Sequence, residues 1–212
     1  MPKPTRVKIL RWPLLMLVVH FLLPTPARAQ LEGIIGPRRP PPFVHPQGFY
    51  TIQLPRGWQA ELDKNGDMIA HKTNGDKAEL TLRMTTVPMN ADTEMVAFNK
   101  GRALRKLPHY VNGGGGRLKV SGKKASVHSF AFDYQGNTEF TISVEEMYVV
   151  SGTVLFTLHF EVLKRSMPRF KKDLMQIYSG LKVAEIDATG RAIIPRKAPK
   201  KHKKKSLPFK LP

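Results

Sequence analysis

The sequence contains no cysteine and few acidic residues. Without a thiol, disulfide bridges, thiolate metal ligands and a cysteine nucleophile are all excluded. Only 16 residues are Asp or Glu, against 35 Lys or Arg, which gives a net charge of +19. The length of 212 residues fits one globular domain with terminal appendages. Such a domain must be stabilised by its hydrophobic core alone.

Long hydrophobic runs are also scarce. The apolar run Leu14–Leu23 has ten residues, whereas a membrane-spanning helix needs about 20. A basic stretch precedes this run, and small residues around Ala29 follow it. This order predicts a secretory signal peptide over residues 1–29, cleaved after Ala29, and therefore a periplasmic or extracellular protein. The alternative is an uncleaved membrane anchor.

The rest of the chain divides by composition into three segments. Residues 30–48 are proline-rich, which predicts an extended linker. Residues 49–187 carry the strand and helix patterns of a folded domain. Residues 188–212 form a lysine-rich tail that we expect to be disordered. The basic charge is therefore concentrated at the ends of the chain.

The most apolar part of the predicted domain is Asn137–Val162, which is typical of two strands joined at Ser151-Gly152. Apolar residues occupy every second position of the second strand, the period of a strand with one buried face. The alternation fails at Glu145-Glu146. We therefore expect a β-bulge there, which would keep the apolar side chains on one face.

Four strands in a meander are predicted before this hairpin, with Asn-Gly turns between them. A helix is predicted over Thr93–Leu107, with an apolar stripe that includes Met95 and Phe98. The glycines of Asn112–Gly116 follow a helix and precede a strand, the wrong order for a phosphate-binding loop, and predict a flexible connector. A second amphipathic helix begins near Ser166.

Two short sequence motifs indicate a resemblance to a known protein superfamily. The first is "LPRGW" (Leu54–Trp58), which follows a strand, and the second is "YSGLKV" (Tyr178–Val183), which ends the closing helix. With the element order between them, the segment from Phe49 to Ile186 resembles the PsbP-like superfamily. That superfamily includes extrinsic photosystem II subunits, a Ran-binding import factor and exported bacterial proteins.

The resemblance implies an α+β fold. We expect a curved antiparallel sheet of about six to eight strands packed between helices as an α/β/α sandwich. It also implies a binding or assembly protein rather than an enzyme, although function carried across on fold alone is analogy.

Catalytic and metal-binding patterns are weak in this chain. There is no His-x-x-x-His spacing and no Gly-x-Ser-x-Gly elbow. His159 and Glu161 share one face of a predicted strand, and His128 on another strand could approach them to bind a metal ion. The simpler interpretation is that these are polar residues on an exposed face. We therefore predict no enzyme and no cofactor.

Two further sets of residues are candidate binding sites. Trp58, Tyr50 and Tyr134 could line a ligand cleft, although aromatic residues near strand ends more often close a core. In the tail, five lysines form a cluster suited to polyanions: Lys200, Lys201, Lys203, Lys204 and Lys205. The tail could equally serve only for solubility.

The sequence therefore predicts an exported, monomeric, non-enzymatic binding or assembly accessory protein. Its tail would tether it to a protein partner or an acidic envelope surface such as anionic lipid or lipopolysaccharide. Nucleic acid is disfavoured as a partner because the protein is expected to be exported. The alternative is a carrier that holds a small apolar ligand or a metal between sheet and helix.

Overall fold

The computed structural model describes residues 40–89 and 91–193. Within these ranges the chain forms twelve β-strands and two α-helices. The strands are β1 (Phe43–Val44), β2 (Tyr50–Ile52), β3 (Gln59–Leu62), β4 (Met68–Asn74), β5 (Asp76–Thr86), β6 (Val111–Val120), β7 (Lys123–Asp133), β8 (Thr141–Ser151), β9 (Val154–Leu163), β10 (Leu181–Val183), β11 (Glu185–Ile186) and β12 (Ala192–Ile193). The helices are α1 (Thr93–Leu104) and α2 (Met167–Gly180).

Seven strands form the main sheet in the order β3-β4-β5-β9-β8-β7-β6, and every neighbouring pair is antiparallel. Strands β1, β2 and β10 form a small second sheet, and β11 pairs with β12. The hairpin of β8 and β9, which the sequence predicted, lies at the centre of the main sheet. The expected α+β fold is confirmed.

The main core lies between one face of the sheet and α2. On α2, Phe170, Leu174, Ile177 and Tyr178 are buried, which confirms the amphipathic face predicted for this helix. They pack in one cluster with the apolar face of β5 and β9, which includes Leu80 and Phe156 among its members. Burial of this apolar surface is the principal stabilising term of the fold.

The expected bulge at Glu145-Glu146 is wrong. Strand β8 keeps an unbroken register with both β7 and β9 through these residues. The physical reason is that β8 is buried on both faces: Met147 and Val149 belong to the main core, whereas Tyr148 packs on the opposite side with α1. A strand covered on both faces does not need a single apolar face.

The glycine run is also not a connector. Residues 112–116 are part of β6, which pairs with β7 along its length and has one register shift between Asn112 and Gly114. Strand β6 is the outermost strand of the sheet, and most of its residues are exposed. A solvated edge strand has few side chains to bury, so glycine is tolerated there and the period-two signal is lost.

Helix α1 is shorter than predicted and buries a different face. It ends at Leu104, its buried residues are Thr93, Ala97 and Gly101, and Met95 and Phe98 are exposed by 60% and 58%. The buried face is small because the helix lies close to β7: a Cβ placed on Gly101 would lie 3.2 Å from Cε1 of His128. Asp92 caps the helix by accepting hydrogen bonds from the backbone N–H groups of Glu94 and Met95.

The ordered domain is longer at both ends than the sequence predicted. Strand β1 lies inside the predicted linker and pairs with β2. Strand β12 lies inside the predicted tail and pairs with β11. No helix in the described part of the chain is long and apolar enough to span a membrane.

We expect Gly101→Val to lower the free energy of unfolding by about 1–3 kcal/mol, because the added side chain must displace either α1 or the imidazole of His128. Urea denaturation followed by circular dichroism measures this change. The matched control is Ala103→Val on the exposed face of α1, which carries only the helix-propensity cost of under about 1 kcal/mol. Equal effects of the two changes would contradict the close approach of α1 to β7.

Candidate functional site

A polar groove lies on the α1 side of the main sheet, over β5, β9 and β8. Its volume is about 410 Å³. The floor consists of side chains at alternate positions of the three strands, and α1 contributes Lys100 to the wall. The lining includes three glutamates, two basic residues and one histidine: Glu79, Glu146, Glu161, Arg83, Lys100 and His159. Threonines at positions 81, 85 and 157 fill the spaces between them.

Strand register explains why these side chains meet. Thr81, His159, Glu146 and His128 lie opposite one another on four successive strands, β5, β9, β8 and β7. Directly opposed residues in an antiparallel sheet place their side chains on the same face, within contact distance. The unbroken register of β8 is therefore what brings Glu146 beside His159.

At the centre of the groove, His159 joins two carboxylates. Its Nδ1 lies 2.8 Å from Oε1 of Glu146, and its Nε2 lies 3.3 Å from Oε2 of Glu161. The hydroxyl of Tyr148 donates a hydrogen bond to Oε2 of Glu146. Both ring nitrogens of His159 and both carboxylate oxygens of Glu146 are therefore engaged inside the cluster.

These contacts decide the protonation of the cluster. Burial alone would lower the pKa of His159, but the hydrogen bonds to Glu146 and Glu161, together with their charges, raise it to about 9. Burial would likewise raise the pKa of Glu146, yet its bonds with His159 and Tyr148 lower it below the usual value. At neutral pH the centre of the groove is a charged imidazolium between two carboxylates.

His128 lies on the same face but has different partners. Its Nε2 is 3.0 Å from the hydroxyl of Tyr110. Burial, together with the charge of Arg105, lowers its pKa, so that it is neutral at neutral pH. The structure therefore brings His159 and Glu161 together and places His128 in a separate contact. In the part of the chain that the structure describes, no group of three or more histidine and carboxylate side chains could hold a metal ion.

The arrangement is suited to holding strands together rather than to proton transfer. A general base must present a free lone pair at the working pH. The ring of His159 carries protons on both nitrogens at neutral pH, and each proton is directed at a carboxylate. The cluster can fix β8 against β9 and give the groove floor a fixed charge pattern.

The three aromatic residues predicted to line a cleft are not brought together. Tyr50 and Trp58 belong to the main core. The ring of Trp58 lies 6.2 Å from that of Phe160, and its Nε1 donates to Oδ2 of Asp173 at 2.9 Å. Tyr134 is 53% exposed, in a 3-10 turn after β7. Trp58 and Tyr50 therefore close the core, the simpler of the two interpretations.

The predicted polyanion site lies outside the described residues. Lys200, Lys201, Lys203, Lys204 and Lys205 all follow residue 193. The tail remains a prediction from sequence.

Comparison with known proteins supports the fold. No protein-family model matches the chain, and no curated protein matches it in sequence. Among solved structures, the chain is similar to LpqN of Mycobacterium tuberculosis, which is described as involved in cell envelope biogenesis. The two superpose with a TM-score of 0.55 at 16% identity, covering 68% of this chain and 89% of LpqN. The cyanobacterial PsbP protein, CyanoP, of Synechocystis superposes with a TM-score of 0.50 at 12% identity, covering 70% of this chain and 95% of CyanoP.

The chain has the PsbP-like fold. A protein of Bacteroides thetaiotaomicron is similar as well, with a TM-score of 0.51 at 11% identity over 70% of this chain and half of that one. The resemblance inferred from the "LPRGW" and "YSGLKV" motifs is therefore confirmed at the level of fold.

Sequence reasoning missed the central carboxylate of the groove in this PsbP-like domain. Glu146 was assigned to a bulge, so its place opposite His159 was not recognised. The period-two count from Glu146 to Tyr148 and Val150, continued without a bulge, is the signal that would have found it. Arg83 and Lys100 gave no signal, because single basic residues on a strand and on a helix look like ordinary surface positions.

We expect the stability contributed by His159 to depend on pH. Folding raises its pKa from 6.5 to about 9, so the folded state binds the proton more tightly than the unfolded state. This contribution, on the order of 3 kcal/mol, is present in full below pH 6.5 and is lost as pH rises through about 9. Urea denaturation of the native protein and of His159→Gln at both ends of this range measures it.

The difference between native protein and His159→Gln should be large at the acid end of that range and small at the alkaline end. The control is His71→Gln, at a histidine on the same sheet face in strand β4. A His159→Gln difference that stays constant with pH would show that the ion pairs with Glu146 and Glu161 do not form.

Proposed function

We propose that the chain is an exported, non-enzymatic binding or assembly accessory protein. The observation that carries this proposal is that the polar side chains at the centre of the groove are hydrogen-bonded to one another. Each side-chain nitrogen of His159 and each carboxylate oxygen of Glu146, the atoms that a catalyst would use, is bonded to another member of the cluster. The basic, apolar and small-residue order of residues 1–29 supports export. The similar fold of LpqN, a protein involved in cell envelope biogenesis, supports a role in the same compartment by analogy.

The lysine-rich tail is the proposed tether. Five lysines lie within residues 200–205, and no acidic residue follows Asp187. Each basic residue near an anionic bilayer contributes about 1 kcal/mol to binding. Anionic lipid or lipopolysaccharide therefore fits this tail better than a neutral surface does.

The alternative, a carrier of a small apolar ligand or metal between sheet and helix, is less well supported. Under α2 the space is filled by large side chains, of which Phe156, Phe160 and Phe170 are at most 1% exposed. An apolar carrier needs a cavity lined by such residues rather than a packed layer. Thermal stabilisation by an apolar ligand would favour this alternative.

The tether is tested by co-sedimentation with vesicles of phosphatidylcholine that contain phosphatidylglycerol. We expect the protein to sediment at low salt and to remain in solution near 1 M salt, where the Debye length is about 3 Å. Replacing the five lysines by glutamine should weaken binding at least tenfold, on the order of the loss of a few charge contacts.

The control for this experiment is a chain that ends at residue 193, which keeps the pairing of β11 with β12. It should fold, as judged by circular dichroism, and should not sediment. Equal sedimentation of the glutamine variant and the native protein, or none by either, would refute the tether.

Export is tested separately by sequencing the N-terminus of the protein recovered from outside the cytoplasm. We expect it to begin at Gln30, because Ala27 and Ala29 provide the small residues that signal peptidase requires. The variant Ala29→Tyr should accumulate uncleaved. A native protein that retains residues 1–29 would instead indicate an anchor.

A further inference from the structure

The outer strand of the sheet leaves one edge open. Strand β6 has ten residues and is last in the strand order, and among the described residues it pairs only with β7. The opposite edge strand, β3, has four residues. A long edge strand presents unpaired backbone donors and acceptors to which another extended chain can pair.

The β6–β7 turn shows which backbone groups face outward. Ser121 and Gly122 have φ of 51° and 79°, as in the two-residue turn that matches the twist of a hairpin. In such a hairpin the flanking pair, Val120 and Lys123, exchanges both backbone hydrogen bonds, and the bonded pairs then alternate along the ladder. Gly115, Arg117 and Lys119 are therefore the residues whose N–H and C=O groups point away from β7.

The side chains along this edge are basic. Arg117 and Lys119 are two apart and so share one face of the sheet, and Lys124 lies opposite Lys119 on that face. Arg117 is 78% exposed and forms an ion pair with Glu94 at 2.7 Å. No ion pair involves Lys119 or Lys124 within the described part of the chain. The edge therefore has a positive charge that the described residues only partly neutralise.

This charge decides between possible occupants of the edge. A second copy pairing through its own β6 would bring basic side chains against basic side chains, and like charges directly opposed across strands are destabilising. The lysine-rich segment of residues 200–205 has the same sign and is disfavoured for the same reason. An acidic strand gains both the ladder hydrogen bonds and the charge attraction.

We propose that the β6 edge binds an extended acidic segment of a partner protein, which adds to the main sheet as an eighth strand. The acidic residues of that segment occupy alternate positions, because Arg117 and Lys119 lie on one face two residues apart. This proposal rests on the proposed binding function and names the class of partner.

The test uses the full chain and a synthetic peptide of about ten residues, the span of one strand, in which glutamate and threonine alternate. We expect binding to slow the hydrogen exchange of the Gly115, Arg117 and Lys119 amides, measured by NMR, because these N–H groups become ladder donors. The exchange of amides on the central strand β9 should not change.

Two matched comparisons separate strand addition from simple charge attraction. The same peptide with N-methyl groups on alternate residues retains its charge but cannot pair, and it should bind at least tenfold more weakly. In the protein, Lys119→Pro removes an outward N–H, whereas Lys119→Ala removes only the charge. Lys119→Pro should weaken binding about threefold to tenfold more than Lys119→Ala does, the effect of a lost hydrogen bond.

Equal binding of the N-methylated peptide would overturn the proposal and would show that charge attraction alone holds the peptide. Absence of peptide binding, or protection of the same amides by self-association on raising the protein concentration, would also overturn it. The N-methyl comparison uses the native protein, so a folding defect in Lys119→Pro leaves it intact. Peptide affinity is measured through the exchange of the β6 amides, so peptide held by the tail lysines does not contribute, and the tether can fail or hold independently.

Discussion

The register of the β8–β9 hairpin is the constraint on which the rest of the structure depends. These strands are central in the sheet and are buried on both faces, by α2 on one side and in part by α1 on the other. A shift of one residue would exchange the two faces. Met147 and Val149 would leave the main core, and Glu146 would enter it without a partner. Burying an unpaired carboxylate is costly enough to exclude the shifted pairing.

The ion-pair cluster in the groove follows from this constraint. Glu146 is 8% exposed and must be matched, and His159 on the adjacent strand can match it only in the observed register. A buried ion pair adds little net stability compared with apolar residues, but removing one partner is strongly destabilising. We interpret the cluster as a device that selects one strand pairing, which is consistent with the absence of a free base in it.

The features that could be predicted from sequence are those in which one local signal is sufficient. The alternation in Val154–Val162 and the four-residue spacing from Phe170 to Leu174 each define one buried face, and both elements are found. The missed features depend on neighbours distant in the chain. Strand β6 shows no apolar alternation because it is the last strand of the main sheet and most of its residues are exposed. Helix α1 buries Gly101 rather than Phe98 because the imidazole of His128 lies directly beneath it.

The polar groove over β5, β9 and β8 and the β6 edge differ in how their charged groups are paired. This difference indicates which of the two surfaces binds a partner. In the groove, imidazolium and carboxylates neutralise one another within hydrogen-bond distance, so a ligand would have to break existing contacts to gain new ones. At β6, the backbone N–H and C=O groups of Gly115, Arg117 and Lys119 point away from β7, and Lys119 forms no ion pair within the described part of the chain. A partner strand can pair with these backbone groups and contact Lys119 without breaking a protein contact, and only its contact to Arg117 competes with the ion pair to Glu94. The cost of binding is therefore lower at the edge, even though the groove is the more conspicuous cavity.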